Sequence, residues 1–247
     1  MAINFVGITR KKFLSEYERI YRFTNLERFI EALSTNSFTF VNPSKWPDPY
    51  ERFFLERNFN IANKEVYLPA KDNIFSVCLS GTLSSEAYWK VYAPKEDGVR
   101  LTFNTEKLLS TFLEKIKNCE VYIGKVNYQV TKEFFKISFD TGKLIQEIED
   151  NKVGDQQIRL LLKKRKSFLY ENEIRILIVP KSKQNNNIYN VDTDITQFTS
   201  GYTLDPRLGK NLVKVLKEYF LNKYTLEISH SLLYADKRRK TIVLKTK

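Results

Sequence analysis

The feature that most constrains the fold is the run Glu-Ile-Arg-Ile-Leu-Ile-Val from Glu173 to Val179. From Ile174 onward it is apolar on both faces of a strand, which is typical of a strand buried inside a sheet. Pro180 follows and ends the strand, because proline cannot donate a ladder hydrogen bond. With the segments around it, this run predicts an α+β fold of mixed, mainly antiparallel sheets with flanking helices.

Two carboxylates stand at the head of this strand, in Tyr170-Glu171-Asn172-Glu173-Ile174-Arg175. On a continuous strand, Glu171, Glu173 and Arg175 would share one face because side chains alternate. Partial burial raises the pKa of a carboxylate, whereas a neighbouring arginine lowers it. One carboxylate could therefore pair with Arg175 while the other stays free for a ligand. An ion-paired strand end without further function accounts for the same residues.

The rest of the chain alternates between helical and strand-like periodicity. We predict helices at 10–19, 26–33 (capped by Thr24 or Asn25), 83–92 (capped by Ser84 or Ser85), 105–117, 131–166 and 208–222. We predict strands at 20–23, 37–41, 73–80, 99–103, 119–128 (one or two), 173–179, 190–198, 201–204, 224–234 and 240–246. The proline-rich stretch 42–51 is expected to be a stiff irregular loop. No internal repeat is present, and we predict a single domain over 1–247.

Composition favours an anionic partner without proving one. The 247 residues carry a net charge of +12, which suits nucleic acid, nucleotides or acidic proteins. Abundant Lys, Asn, Ile, Tyr and Phe are also what an AT-rich genome produces. The basic runs Lys163–Lys166 and Lys237–Lys240 could be solvated turns or a rim that contacts phosphates.

Several classes of protein are disfavoured by what the sequence lacks. Its one histidine, His230, and its two cysteines, Cys78 and Cys119, are too few for a His/Cys metal centre or a disulfide framework. We therefore expect no metal and a reducing, cytoplasmic location. No run of about 18 apolar residues suggests a membrane span. The glycines form no phosphate-binding loop motif.

A second candidate group surrounds Arg22, which lies in a predicted strand between Tyr21 and Phe23. An arginine held in this way can clamp phosphate or carboxylate with two hydrogen bonds, or it can pair with an acid such as Glu51 or Glu173. Ser76 lies on another strand. Aromatic residues could stack on a flat ring or simply fill the core; they are Trp46, Tyr50, Tyr88, Trp89 and Tyr92.

Several motifs, in one order, resemble those of a large uncharacterised bacterial family. Its Phe-Asn-Asp-Pro-Phe-Glu motif corresponds to Trp-Pro-Asp-Pro-Tyr-Glu at 46–51, where Pro47 replaces the usual Asn. Its later motifs correspond to Phe75-Ser76, to Trp-Lys-Val-Tyr-Ala at 89–93 with Gly98, and to the strand start at 170–175. The resemblance covers about 20–180 and implies no established activity.

The segment Tyr-Arg-Phe-Thr-Asn-Leu at 21–26, with the helix that follows, is similar to the opening of ADP-ribosyltransferases. That resemblance implies NAD as substrate and an ADP-ribosyltransferase-like core. Arg22 would contact NAD, Ser76 would stand on the second strand, and Glu173, supported by Glu171, would be the catalytic carboxylate. The aromatic residues Tyr21, Trp46, Tyr50 and Tyr92 would complete the NAD site.

The leading hypothesis is thus a toxin or phage-defence effector that transfers ADP-ribose from NAD to nucleic acid or protein. It predicts that Arg22, Ser76 and Glu173 meet in one cleft. One alternative is a non-catalytic nucleic-acid-binding or regulatory module. Another is a metal-dependent nuclease using Asp48, Glu51, Glu171 and Glu173, although the stiff Asp-Pro loop disfavours it. The oligomeric state stays open.

Overall fold

A computed structural model describes residues 3–83, 86–136 and 140–234. The strands in these ranges are β1 (Ile3–Val6), β2 (Arg19–Asn25), β3 (Ser37–Val41), β4 (Phe59–Ile61), β5 (Lys64–Val66), β6 (Phe75–Ser80), β7 (Gly98–Asn104), β8 (Cys119–Lys125), β9 (Asn127–Gln129), β10 (Lys163–Arg165), β11 (Glu173–Pro180), β12 (Ile188–Asp192), β13 (Thr199–Leu204) and β14 (Ile228–His230).

The α-helices are α1 (Arg10–Glu16), α2 (Leu26–Ser34), α3 (Pro49–Glu56), α4 (Ala70–Asn73), α5 (Glu86–Tyr92), α6 (Thr105–Lys107), α7 (Thr131–Phe134), α8 (Thr141–Glu149), α9 (Asp155–Leu161) and α10 (Lys210–Tyr224). Short 3₁₀ turns occupy Pro43–Lys45, Leu113–Lys115, Lys166–Glu171 and Ile195–Gln197, and a π-turn occupies Leu108–Phe112. None of the helices in the described ranges has the length and apolar character needed to span a bilayer.

Ten strands form one sheet in the order β1-β8-β11-β6-β2-β7-β13-β14, with β3 paired to β6 and β12 paired to β3. The β1–β8 and β13–β14 pairs are parallel, and the other pairs of this sheet are antiparallel. The predicted α+β class with mainly antiparallel sheets is therefore confirmed. The pairs β9–β10 and β4–β5 form two smaller sheets.

The strand β11 lies in the interior of the sheet, as its composition predicts. It pairs with β6 on one side and β8 on the other. Its residues Ile174, Ile176 and Ile178 enter a core covered by α1, α2, α10 and the 105–115 segment. On the opposite face, Leu177 enters a second core with α3, α4 and α7–α9. Because both faces of β11 are buried in apolar cores, its sequence does not alternate between polar and apolar residues.

The strand β6 changes its partner along its length. Ser80 pairs with Tyr21 of β2, whereas Ser76, at the other end, pairs with Val41 of β3. The sheet therefore divides beside β6 into one branch through β2 and another through β3. This division places residues of β2 and β3 on either side of a cleft.

The prediction of an irregular loop over 42–51 is wrong at its C-terminal end. The helix α3 begins at Pro49, and the Asp48 carboxylate caps it by accepting a hydrogen bond from the Tyr50 N–H at 3.0 Å. Proline is tolerated at the first helical position because its missing N–H has no intrahelical acceptor there. The result is that Glu51 lies in the first turn of a helix.

The prediction that 131–166 is helical as far as its basic run is also wrong. The described part contains α7, α8, α9 and then β10, and β10 pairs with β9 in parallel. Lys163 and Lys164 are 3% and 6% exposed, so these two lysines do not form part of a solvated phosphate rim, whereas Lys166 is exposed. The clustered charges suggested that these lysines are exposed to solvent. In the structure, the Lys163 ammonium donates to the Phe134 carbonyl and the Lys164 ammonium donates to the Glu171 carboxylate, both inside the protein.

Other boundaries differ in smaller ways. The helix predicted at 105–117 is broken into α6, a π-turn and a 3₁₀ turn, and the strand predicted at 190–198 is β12 followed by a 3₁₀ turn. At the N-terminus of α2, Asn25 is the cap, accepting a hydrogen bond from the Arg28 N–H. The predicted caps Ser84 and Ser85, the strand at 240–246 and the run Lys237–Lys240 lie outside the described residues.

Candidate functional site

Lys164 is the centre of a buried group of charges beside the head of β11. Its Nζ lies 2.7 Å from Oε2 of Glu171, 2.9 Å from Oε2 of Glu173 and 3.2 Å from Oε1 of Glu51. The four side chains are each at most 8% exposed. One ammonium group thus contacts both carboxylates of the glutamate motif and a third, Glu51, that is distant in sequence.

Arg175 is the second cation of this group, which we call the buried charge cluster: Glu51, Lys164, Glu171, Glu173 and Arg175. Its Nε donates to Oε1 of Glu173 at 2.7 Å, and its Nη2 pairs with Glu51. Arg175 is fully buried. The cluster combines three carboxylates with two cations, so its formal charge is −1 when all five groups are ionised.

Local backbone geometry brings the two glutamates of the motif together in an unexpected way. Glu171 ends a 3₁₀ turn, and Asn172 adopts a left-handed conformation with φ 41° before β11 starts at Glu173. The strand predicted at 173–179 is confirmed, but it does not continue back to Glu171, because a left-handed residue interrupts it; the expectation that Glu171 and Glu173 share one face of a continuous strand is therefore wrong. Asparagine tolerates this conformation better than most residues. Both carboxylates nevertheless reach Lys164.

A small cavity adjoins the cluster, and we call it the carboxylate cavity. It has a volume of about 10 Å³, which is room for about one water molecule. Its lining residues come from β2, β6, α5, the 3₁₀ turn Lys166–Glu171 and the start of β11: Tyr21, Phe23, Cys78, Leu79, Ser80, Tyr88, Tyr92, Glu171 and Glu173. Two of the three cluster carboxylates therefore face it.

The helix α5 covers this cavity with two tyrosines. Tyr92 Oη donates to Oε2 of Glu171 at 3.3 Å, and Tyr88 Oη donates to the Glu171 carbonyl. Ser80 Oγ donates to Tyr88 Oη at 2.7 Å. The ring of Phe23 stacks on Tyr88, with 4.7 Å between ring centroids. The cavity thus has hydroxyl groups on one side and stacked rings above.

The two carboxylates of the motif have opposite protonation tendencies. Burial raises the pKa of Glu171, and the charge of Lys164 offsets this only in part. Burial also acts to raise the pKa of Glu173, but the charges of Arg175 and Lys164 outweigh it and lower the pKa to about 2. Paired carboxylates whose pKa values are pushed apart are a feature of acid–base sites.

Tyr21 and Tyr92 were predicted to belong to one site with Glu171 and Glu173, and the structure brings all four to the carboxylate cavity. Trp46 and Tyr50 do not line it. The Arg175 guanidinium lies 4.1 Å from the Trp46 ring centroid, so Trp46 contacts the charge cluster through Arg175. Tyr50 lies under Arg165, at 4.2 Å from its guanidinium carbon.

Ser76 shares the Glu173 face of the sheet but pairs with Leu177, further along β11. Its Oγ is buried and has no hydrogen-bond partner among the described residues. Arg22 points to the opposite face of β2 from Tyr21 and lines a different cavity. The expected meeting of Arg22, Ser76 and Glu173 in one cleft is therefore not found.

Several contributors were missed by the sequence analysis. Lys164 was considered only as part of a basic run, and Cys78, which alternates with Ser76 and Ser80 along β6, was not considered as part of a site. Arg100 of β7 pairs with Phe23 in the antiparallel register and so lies on the carboxylate face of the sheet. The alternation of Arg100 and Thr102 could have suggested this position.

Arg100 makes only neutral contacts. It donates from Nη1 to the Leu83 carbonyl and from Nη2 to Thr203 Oγ1, both at 2.9 Å. Among the described residues, its buried Nε has no hydrogen-bond partner, and no carboxylate forms an ion pair with it. Burial lowers its pKa. Arg100 is thus a cation with unused hydrogen-bonding capacity close to the carboxylate cavity.

The charge cluster is not arranged as a metal centre. In the part of the chain that the structure describes, no group of three or more His, Cys, Asp or Glu residues has suitable metal-binding geometry. The Lys164 ammonium lies between the three carboxylates, where a cation would otherwise bind them. This arrangement gives no support to the metal-dependent nuclease alternative.

The model of a family described as "Protein of unknown function (DUF2971)" matches residues 88–176. This stretch is less than half of the chain, but it contains Tyr88, Tyr92, Lys164 and the glutamate motif. The resemblance to an uncharacterised family is confirmed over this stretch. No curated protein and no solved structure matches the chain, so the resemblance to ADP-ribosyltransferases stays a prediction.

Proposed function

We propose that the protein transfers ADP-ribose from NAD to a nucleic-acid or protein acceptor, with Glu173 and Glu171 as catalytic residues. The observation that carries this proposal is the pair of carboxylates that face one cavity with pKa values shifted in opposite directions. Glycosidic chemistry commonly divides its tasks between two such carboxylates.

In the proposed reaction, the bond between nicotinamide nitrogen and ribose carbon breaks, and nicotinamide leaves as a neutral molecule with the bonding electrons. Positive charge develops on the ribose, and the ionised Glu173 stabilises it. The acceptor nucleophile then bonds to the ribose carbon. Its proton passes to Glu171, whose raised pKa suits a general base that must hold a proton.

The pyrophosphate of NAD requires a cation on the same face of the sheet. Arg22 lies on the other face, whereas Arg100 is adjacent to Phe23 and has no carboxylate partner in the described ranges. Arg100 therefore replaces Arg22 as the proposed pyrophosphate contact. An arginine can offer two parallel N–H donors to phosphate oxygens.

A dinucleotide does not fit the carboxylate cavity in its present shape. Its volume is about 10 Å³, whereas small-molecule sites usually measure roughly 300–1,000 Å³. Tyr88 and Tyr92 of α5 form its cover. The proposal therefore requires these two side chains to move when NAD binds, which would increase the hydrogen exchange of α5 amides.

The test is incubation with labelled NAD and a panel of DNA, RNA and protein acceptors. Glu173→Gln should abolish nicotinamide release, because the ionised Glu173 stabilises the charge that develops on the ribose. Glu51→Gln is the matched control, because Glu51 also pairs with Lys164 and Arg175 but does not line the cavity. Wild-type protein that releases no nicotinamide with any acceptor would contradict the proposal, as would equal loss of activity in both variants when both remain folded.

The second candidate function is non-catalytic binding of nucleic acid, and a separate cleft favours it. This cleft has a volume of about 730 Å³ at the far end of β11, and we call it the lysine cleft. Its basic and aromatic lining residues are Lys71, Lys152, Lys181, Lys183 and the half-exposed Tyr67. Asp72 and Glu120 also line it, so the excess charge there is +2.

Lysines and an exposed aromatic ring together suit the phosphates and bases of a single strand. The Lys181→Gln, Lys183→Gln double variant should weaken oligonucleotide binding and reduce its dependence on salt. Lys214→Gln, on the exposed surface of α10, is the control. Binding that is equally strong in all three proteins would exclude the cleft as the contact surface.

A further inference from the structure

A second cavity, partly open to solvent, lies on the other face of β2, where the sheet divides between β2 and β3. We call it the Arg22 cavity, and its volume is about 200 Å³. Arg22 and Thr24 reach it from β2, Phe38 and Thr39 reach it from β3, and Asn190 reaches it from β12. Because side chains alternate along a strand, Arg22 and Tyr21 serve different cavities on the two faces.

Arg22 carries a charge in this cavity without a counter-ion. In the described ranges, no carboxylate lies within ion-pair distance of its guanidinium group. The cavity's one acidic lining residue, Glu31, pairs instead with Arg28 at 2.7 Å. The Arg22 guanidinium stacks on the Phe38 ring at 4.6 Å, which orients it but does not neutralise it.

Burial lowers the pKa of Arg22 to about 10, so the side chain is still protonated at neutral pH. Arg22 is only partly exposed, and a partly desolvated cation without a partner gains from a counter-ion. An anion that enters the cavity would supply the missing partner. The planar guanidinium group is well suited to hold a carboxylate through two hydrogen bonds.

The other residues that line the Arg22 cavity indicate what else a bound molecule should contain. Thr39 Oγ1 donates to Oδ1 of Asn190 at 2.8 Å, which leaves the Asn190 Nδ2 hydrogens without a protein partner among the described residues. Phe29, Leu101 and Val41 supply apolar surface. An inorganic ion would leave this surface uncovered. The cavity therefore favours an anionic head joined to a compact apolar body.

We propose that the Arg22 cavity binds a small organic monocarboxylate, about the size of benzoate, with its carboxylate on Arg22 and its apolar body against Phe29 and Leu101. This site is separate from the carboxylate cavity, and it does not depend on the transferase proposal. The carboxylate of such a ligand would neutralise the charge of Arg22, and its apolar body would cover the apolar surface between β2 and β3.

The test is to titrate the full-length protein with benzoate, benzamide or inorganic phosphate, following thermal unfolding and NMR shifts. Benzoate at ten times its Kd should raise the Tm of the wild type by about 3–6 °C. Benzamide, which has the same shape but no charge, and phosphate, which has no apolar body, should have at most a tenth of that affinity.

Arg22→Gln should bind benzoate at least tenfold more weakly, while leaving the Tm of the unliganded protein nearly unchanged, because the substitution breaks no ion pair of the described residues. Arg19→Gln, an exposed position on the same strand, is the matched control and should bind like the wild type. If Arg22→Gln is unfolded, Arg22→Lys should also bind tenfold more weakly because it lacks the planar fork.

Three outcomes would overturn the proposal. The first is that benzoate neither raises the Tm nor shifts NMR signals of the wild type. The second is equal binding of benzoate and benzamide, which would show that the charge of Arg22 takes no part. The third is full binding by every folded Arg22 variant, which would place the ligand elsewhere.

Discussion

Replacing Lys164 by methionine removes the ammonium group that three buried carboxylates share, while keeping a side chain of similar length. The Lys164 Nζ contacts Glu51, Glu171 and Glu173 at 3.2, 2.7 and 2.9 Å. Removing one partner of a buried ion pair costs about 3–5 kcal/mol. A typical domain has about 5–15 kcal/mol of stability, so the variant should fold with a reduced free energy of unfolding.

The loss should depend on pH in a defined direction. Without Lys164, the pKa of Glu171, which burial already raises, should rise further in the folded state. A carboxylate whose folded pKa exceeds its unfolded pKa stabilises the protein at low pH, and this contribution disappears as the pH rises. The variant should therefore recover about 1–3 kcal/mol relative to the wild type between pH 7 and pH 5.

Urea unfolding at pH 5, 6, 7 and 8 measures this difference directly. Adding Glu171→Gln to Lys164→Met returns the formal cluster charge to −1, and should restore about 2 kcal/mol while removing the pH dependence. Lys90→Met breaks only the exposed pair with Glu86 and should leave stability nearly unchanged. A loss below about 1 kcal/mol at pH 7, or a loss that does not vary with pH, would refute the reasoning.

Further predictions concern the same sheet. Ser76→Ala should leave stability unchanged or raise it by about 1 kcal/mol in urea unfolding, because its buried Oγ lacks a partner among the described residues; a clear loss would reveal a hidden hydrogen bond. Gly124→Ala should lower it by about 1–3 kcal/mol in thermal unfolding, since the new Cβ would lie 2.2 Å from Cδ1 of Leu162; an unchanged Tm would mean that Leu162 repacks freely. Burial, and then the charge of Glu173, raise the pKa of the Cys78 thiol, so native protein should be alkylated far more slowly than unfolded protein at pH 8; equal rates by mass spectrometry would contradict this. Because the pKa of Glu173 is about 2, its ionised form contributes about 3 kcal/mol above pH 4.5 that is lost as the pH falls toward 2; circular dichroism should show the transition in that range, and folded protein at pH 2 with undiminished stability would disagree.

Much of the fold could be predicted because the local sequence patterns of β11 and β6 indicate strands, and the burial of both strands in the sheet agrees with those patterns. Apolar runs bounded by glycine and proline identified both strands, and an asparagine cap with helical periodicity identified α2. The helical content between 131 and 166 was overestimated, because a run of basic residues such as Lys163–Lys166 does not show which groups those residues contact. Only tertiary structure brings Phe134 and Lys136 carbonyls to the Lys163 ammonium, at 2.6 Å each.

The candidate site could be predicted in part, for a related reason. The glutamate motif is local, so sequence alone identified Glu171, Glu173 and their counter-charge Arg175. Lys164 depends on the pairing of β10 with β9, which no short motif indicates. The face on which Arg22 lies depends on the register of β2, and a shift of one residue in such a register exchanges the two faces.

The position of β11 has a consequence for synthesis on the ribosome. The strands β6 and β8 are synthesised before β11, and they do not pair with each other. Each pairs with β11, so one edge of each strand stays unpaired until residues 173–180 insert between them. Until that segment leaves the exit tunnel, two apolar strands have unpaired edges, which exposes the nascent chain to aggregation. We expect slow folding dominated by this late closure, and a ribosome stalled before residue 173 should hold a chain that binds chaperones.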